Sequence, residues 1–338
     1  GSSDAQRMGA AHALMRMHRS DVVDNLIGRL QAGQPPHDPT PLLSALARLY
    51  HREADWTGES WGTRPDTRGP YYQLESWEQS SKILGALHDM LRTTSPNQAA
   101  VLVEEMNRNR IRSAPALERI IGLALQDAQH TTTAIAQLAA AKSIPTQATS
   151  LILRAAQTED IAPMTSAQLV QCLAKTTHPD ALTALLNVLA RLDKVQGAGK
   201  AQQTARMAFL GNPQLENWHH ALVRIINEQP AAEASRWAFA ALLTLASGKN
   251  TNPEPKAAAM QAIAQAWEDG PQRIRLMALA ASMRNHYLDD RIRVSIHDLD
   301  SENAQAAKNA ARRLRIPAPG KDQTPKIDTL TVASALEQ

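Results

Sequence analysis

Between Tyr50 and Trp77 stand six of the chain's twelve Trp, Tyr and Phe residues: Tyr50, Trp56, Trp61, Tyr71, Tyr72 and Trp77. Interleaved with them are the guanidinium groups of Arg64 and Arg68 and the carboxylates of Asp55, Glu59 and Asp66. Indole and phenol rings offer flat apolar faces with one polar edge, and a guanidinium presents forked donors that match a carboxylate. That is the inventory of a site for a glycan or a small anion. Its binding candidates are Trp56, Trp61, Arg64, Asp66, Arg68, Tyr71, Tyr72 and Trp77. Gly58, Gly62, Gly69, Pro65 and Pro70 exclude a continuous helix here. The Arg64-Pro65 and Gly69-Pro70 steps restrict the backbone, so side chains would be presented at little ordering cost. The same residues also suit a structural clasp. An insertion of about 20 residues must satisfy its own backbone polar groups and cover apolar helix faces, and arginine-aspartate pairs with aromatic plugs accomplish both.

A second set, Asn107-Arg108-Asn109-Arg110, follows a helical run and precedes Pro115. It reads as a helix end, where asparagine tolerates the left-handed conformation and arginine favours the negative end of the dipole. Pairing with the aromatic loop or with a ligand is the other role open to Asn107 and Arg108. His219 and His220 are adjacent, so on a helix they project about 100° apart and are not expected to share a metal ion. His12 and His18 are six apart and miss the i, i+4 spacing. With no phosphate loop or nucleophile elbow, neither catalytic residues nor metal ligands are expected, and no cofactor is expected in this chain.

Cys172 is the single cysteine, which excludes a disulfide framework, a CxxC pair and a CxxCH haem attachment. Flanked by Val170 and Leu173, it reads as a buried small apolar residue. The 36 basic and 33 acidic residues leave a net charge of +3, without the concentrated excess of a nucleic-acid binder. The densest basic run, Lys308, Arg312, Arg313 and Arg315, reads as the solvated face of a terminal helix. No apolar run approaches the roughly 18 residues of a membrane span. Gly1-Ser2-Ser3 reads as a cloning remnant, leaving room for a signal peptide and neighbouring domains outside this sequence.

The elements that would position these groups are helices. Aromatics are 4% of the chain, and alanine and leucine dominate its apolar content, which favours close helix packing over a β core. Runs such as Pro179 to Leu192, Ala231 to Ala246, Pro271 to Met283 and Ser301 to Leu314 open on a proline, a cap or an acidic turn. They then place apolar residues at i, i+3, i+4 and i+7. The spacing of paired runs, about 35 to 45 residues, is that of helical hairpins that stack because one hairpin cannot bury its apolar face alone. The expected fold is all-α, a HEAT-like α-solenoid of about seven or eight hairpins. It would occupy residues 4–316, with the aromatic loop inserted at 53–73. Gly248 to Pro255 reads as a plain loop between repeats. Residues 317–338 carry no apolar period and read as a linker.

Leu49 to Tyr72, with Trp77-Glu78 and Glu105 to Arg110, resembles the HEAT-repeat region of PVC-type haem-binding CxxCH proteins. The run GTRPDTRGPYY carries most of the likeness. One departure is that Ser60, rather than a second tryptophan, precedes Trp61-Gly62. Proteins of that family join a β-propeller of membrane-bound dehydrogenase type, a HEAT-like array and a c-type cytochrome domain. The resemblance implies a secreted or periplasmic multidomain protein whose propeller and cytochrome domains are this chain's neighbours. Pro325-Lys326-Ile327-Asp328 looks like the approach to the cytochrome domain. Haem would belong to that domain, since the ligating cysteines and histidine of its motif are not in this chain.

Overall fold

The computed structural model describes residues 4–32, 38–55, 57, 73–230, 232–289 and 291. Among these the chain forms fifteen α-helices and one short pair of strands, so the fold is all-α. It divides into two compact units, Gly1–Leu151 and Ile152–Gln338.

The first unit holds α1 (Asp4–Leu14), α2 (Ser20–Gln31), α3 (Thr40–Arg48), α4 (Ser80–Thr93), α5 (Pro96–Arg108), α6 (Ala114–Gln126) and α7 (Thr131–Ala140). Local chemistry sets several of their starts. Ser95 accepts from the Gln98 amide with Pro96 at the first helical position, and Ser113 accepts from the Ala116 amide at 3.1 Å. Each cap satisfies one amide that the helix itself leaves without a partner. Helices pack on those one or two places along the chain, α3 on α5, α4 on α6 and α5 on α7. Leu46, Leu49, Ile83, Leu87, Leu102 and Met106 are fully buried between them. Each such side chain contributes about 1.5 to 3 kcal/mol of transfer free energy. Between α3 and α4 the strands β1 (Arg52–Glu53) and β2 (Leu74–Glu75) pair antiparallel, Arg52 opposite Glu75 and Glu53 opposite Leu74.

The chain runs through α8 (Thr149–Gln157) into the second unit. That unit contains α9 (Pro163–Leu173), α10 (Ala181–Asp193), α11 (Gly199–Leu210), α12 (His219–Glu228), α13 (Glu233–Ser247), α14 (Pro253–Glu268) and α15 (Gly270–Met283). Here α9 packs on α10 and α11, and α13 lies against α10, α12, α14 and α15. Ala238, Ala240 and Ala241 on α13 are at most 1% exposed, and such short side chains let neighbouring helices approach closely. Phe209 and Phe239 fill the remaining volume. Hydrogen bonds finish the exposed helix ends. Gln202 Nε2 lies within 3.4 Å of the Leu192, Asp193 and Val195 carbonyls at the end of α10, and Arg191 donates to the carbonyls of Ala156 and Thr158 at the end of α8.

Two local expectations are corrected. Gly248 to Pro255 is not loop throughout, because α14 begins at Pro253 and Pro253-Glu254-Pro255 form its first turn. A proline there gives up no intrahelical bond, since first-turn amides have none. At the end of α5 the left-handed residue is Arg110, with φ 58°, not an asparagine. Ile111 N donates to Met106 O and Arg110 N to Asn107 O, a Schellman closure that the paired carbonyls hold even with a Cβ in the left-handed region. The helix expected at Ser301 to Leu314 and the linker at 317–338 lie outside the described residues.

Candidate functional site

Of the aromatic loop's candidates, Trp56, Trp61, Arg64, Asp66, Arg68, Tyr71 and Tyr72 lie outside the described residues. Trp77 does not, and it stands at the neck of the insertion. Its Nε1 donates to Leu49 O at 2.7 Å, and its ring meets His18 edge-on with centroids 5.3 Å apart. Its backbone amide donates to Ser80 Oγ at 2.8 Å, while that hydroxyl donates to Tyr50 O at 2.8 Å. Both edges of the neck are thereby tied to the end of α3 and the start of α4.

The polar groups around the neck are buried or half-buried. Arg48 is 8% exposed, and its guanidinium lies 3.3 Å from Glu53 Oε1. His18 Nε2 donates to His51 O at 2.9 Å, since a carbonyl can only accept. Burial is the largest cause holding the His18 imidazole below its ordinary value. His51 is held low too, by burial first and then by the charges of Arg48 and Arg110. Burial likewise lowers Arg48, against the pull of Glu53. Arg48 keeps its charge beside Glu53, whereas burial favours the neutral form of the two imidazoles.

The second set is indeed a helix end. Asn107 and Arg108 are exposed, and Arg108 pairs with Glu105, a carboxylate on the same helix whose side chain is 6% exposed. Asn109, the buried member, donates through Nδ2 to Glu105 O at 2.8 Å. Arg110 faces His51, which brings this helix end to the neck of the insertion.

A cleft of about 440 Å³ opens in the second unit between α10, α11, α13 and α15, with Asp193, Arg206, Arg236 and Trp237 on its walls. Trp237 Nε1 donates to Asp193 Oδ2 at 3.0 Å, and Arg236 Nη1 lies 3.6 Å from the same oxygen. Burial raises the Asp193 carboxyl, and the positive charge of Arg236 opposes it. Beside it Lys194 pairs with Glu233 at 2.6 Å, and Gln202 caps α10. Trp237 and Arg236 hold Asp193, and the Lys194 pair and Gln202 hold the helix ends beside it. Sequence patterning gave no sign of the cleft, because Trp237 falls in register with the apolar face of α13.

Adjacency does not separate His219 and His220 as a uniform helix predicts. His219 is the first residue of α12, directly after the 3₁₀ turn Leu215–Trp218, and the two imidazole centroids lie 3.8 Å apart. Glu254, in the first turn of α14, completes the group, with ligand atoms of all three residues within 4.8 Å of one another. The missed signal was a carboxylate 35 residues downstream, about one hairpin spacing on.

No protein-family model, curated protein or solved structure matches this chain.

Proposed function

We propose that the chain is a non-catalytic helical-repeat scaffold and interaction module, a HEAT-like α-solenoid within a secreted multidomain protein of the c-type cytochrome and dehydrogenase kind. One observation carries the repeat reading: the sequence separation of the tertiary hydrogen bonds. Gln137 to Val103, Arg191 to Thr158, Asn212 to Ala174, Asn252 to Glu216, Arg275 to Pro230 and Asn285 to Leu243 span 34, 33, 38, 36, 45 and 42 residues. Contacts that recur one hairpin apart are what stacked hairpins require, since each repeat touches only its neighbours. The links from α2 to α4 fit the same rule. Gln79 to Ser20 and Lys82 to Asp24 span 59 and 58 residues, longer by about the length of the insertion at 53–73. The insertion would then be an addition to one hairpin rather than an element of the array.

Arg48 with Glu53 at the neck, and Asp193 with Trp237 and Arg236 in the cleft, hold one another, which supports a structural role for these groups. No helix among the described residues is long and apolar enough to cross a membrane. The propeller and cytochrome domains as neighbours, the extracytoplasmic location and the linker at 317–338 rest on the resemblance of the Leu49 to Tyr72 run. Cross-linking and mass spectrometry of the full-length protein test the role. Lysines of this segment are expected to link to both a propeller and a haem-bearing domain. A natural coding sequence that encodes neither, or links that reach neither, overturns the reading.

A further inference from the structure

We infer that His219, His220 and Glu254 form a zinc site that clips the start of α12 to the start of α14. The central observation is His219, whose side chain is 9% exposed and whose Nε2 is buried without a hydrogen-bond partner. Its other nitrogen, Nδ1, lies 2.7 Å from Glu216 O. A carbonyl can only accept, so Nδ1 carries the proton and neutral His219 leaves its lone pair on Nε2. Metal-bound histidines are oriented in just this way, by donating the second ring N–H to a backbone carbonyl or carboxylate. An unpaired buried nitrogen costs free energy, and a cation would remove that cost.

The other two ligands face the same point. Glu254 Oε1 is 3.9 Å from His219 Nε2 and 3.7 Å from His220 Nε2. Tetrahedral bonds of about 2.0 Å place ligand atoms about 3.3 Å apart, so closing on a metal takes movements of an ångström or so. His220 and Glu254 are 78% and 79% exposed, and their side chains can make that movement against solvent. The backbone is already fixed. Glu216, whose carbonyl orients His219, also accepts through its carboxylate from Asn252 N at 3.3 Å and Asn252 Nδ2 at 2.5 Å. Asn252 immediately precedes α14, so one residue positions both halves of the site.

Two imidazoles and a carboxylate select a borderline-soft divalent ion over magnesium or calcium, which take oxygen ligands. Three protein ligands leave the fourth tetrahedral position to water. The site is independent of the scaffold reading and stands or falls on its own measurement.

Calorimetric titration of the metal-free chain with Zn²⁺, and visible absorption after loading Co²⁺, provide that measurement. One equivalent is expected to bind, with tetrahedral ligand-field bands for cobalt and a raised melting temperature. His220→Ala and Glu254→Gln alter exposed side chains and should keep the fold, checked by circular dichroism. Each is expected to weaken zinc binding by more than the roughly 10- to 100-fold that loss of an outer hydrogen bond costs. His12→Ala, an exposed histidine elsewhere, should bind like the parent. Failure to bind one equivalent, or unchanged affinity in both site variants, overturns the proposal.

Discussion

The indole of Trp77 donates to the carbonyl of Leu49 across 2.7 Å, joining a residue just past the aromatic insertion to the one that caps the helix before it. The bond makes the neck a closed ring, so the insertion leaves and re-enters the helical array at one point. Removing the indole should therefore loosen the array as well as the loop. Trp77→Phe keeps most of the ring and leaves Leu49 O without its donor, for an expected loss of about 1 to 2 kcal/mol. Trp77→Ala removes the packing on His18 as well and should cost about 3 kcal/mol. Chemical denaturation measures both; a Trp77→Phe variant as stable as the parent would show that the bond carries no weight.

His18 and His51 give the neck a pH dependence of definite sign. Both imidazoles have folded values below the ordinary 6.5, so between that value and the folded ones the unfolded chain holds more protons. Stability is full above about 6.5 and falls as pH drops through that value toward the folded ones. Melting temperatures recorded from about pH 8 to pH 5 should decline on the acid side. His18→Gln should flatten part of the decline, and an equally steep curve in that variant would remove His18 from the account.

Cys172 is fully buried, and burial pushes its thiol up to about 12. Thiolate is the reactive form, so a thiol reagent should label the native chain only as fast as it opens. Adding denaturant should accelerate labelling in step with unfolding measured by circular dichroism. Rapid labelling under native conditions would place the thiol at a surface.

Asp193 separates charge from hydrogen bonding. Burial raises its carboxyl, so at neutral pH the ionised group carries a desolvation cost, while its oxygen accepts from Trp237. Asp193→Asn retains an acceptor without the charge and should leave stability within about 1 kcal/mol of the parent. Asp193→Ala strands the indole N–H and is expected to cost about 1 to 3 kcal/mol. Equal losses in the two variants would mean that the charge, rather than the acceptor, holds the cleft together.

The helices were legible from the chain because apolar periodicity and capping are local. The run read from Pro179 to Leu192 is α10 at Ala181–Asp193, and that from Pro271 to Met283 is α15 at Gly270–Met283. The burial of Cys172 followed from its apolar neighbours. The strand pair at the neck was not legible, since two residues a side carry no alternation, and its partners lie over twenty residues apart. The left-handed Arg110 escaped because residue preference points to the asparagine beside it, whereas the carbonyls of Met106 and Asn107 choose the position. The histidine group escaped for a different reason. The angle between neighbours on a helix describes Cβ directions, while imidazoles reach around a helix start and meet a carboxylate from the first turn of α14.

Tertiary bonds that close loops of 33 to 45 residues also bear on how each unit comes apart. Short closures mean low contact order, which favours rapid assembly from neighbouring pieces over a single late event. If the hairpins stack as proposed, a force drawn along the backbone would peel them away in steps, each releasing a similar length of chain, while those behind remained folded. Under that same reading, amide exchange would grade within each unit, fastest at hairpins with a neighbour on one side only.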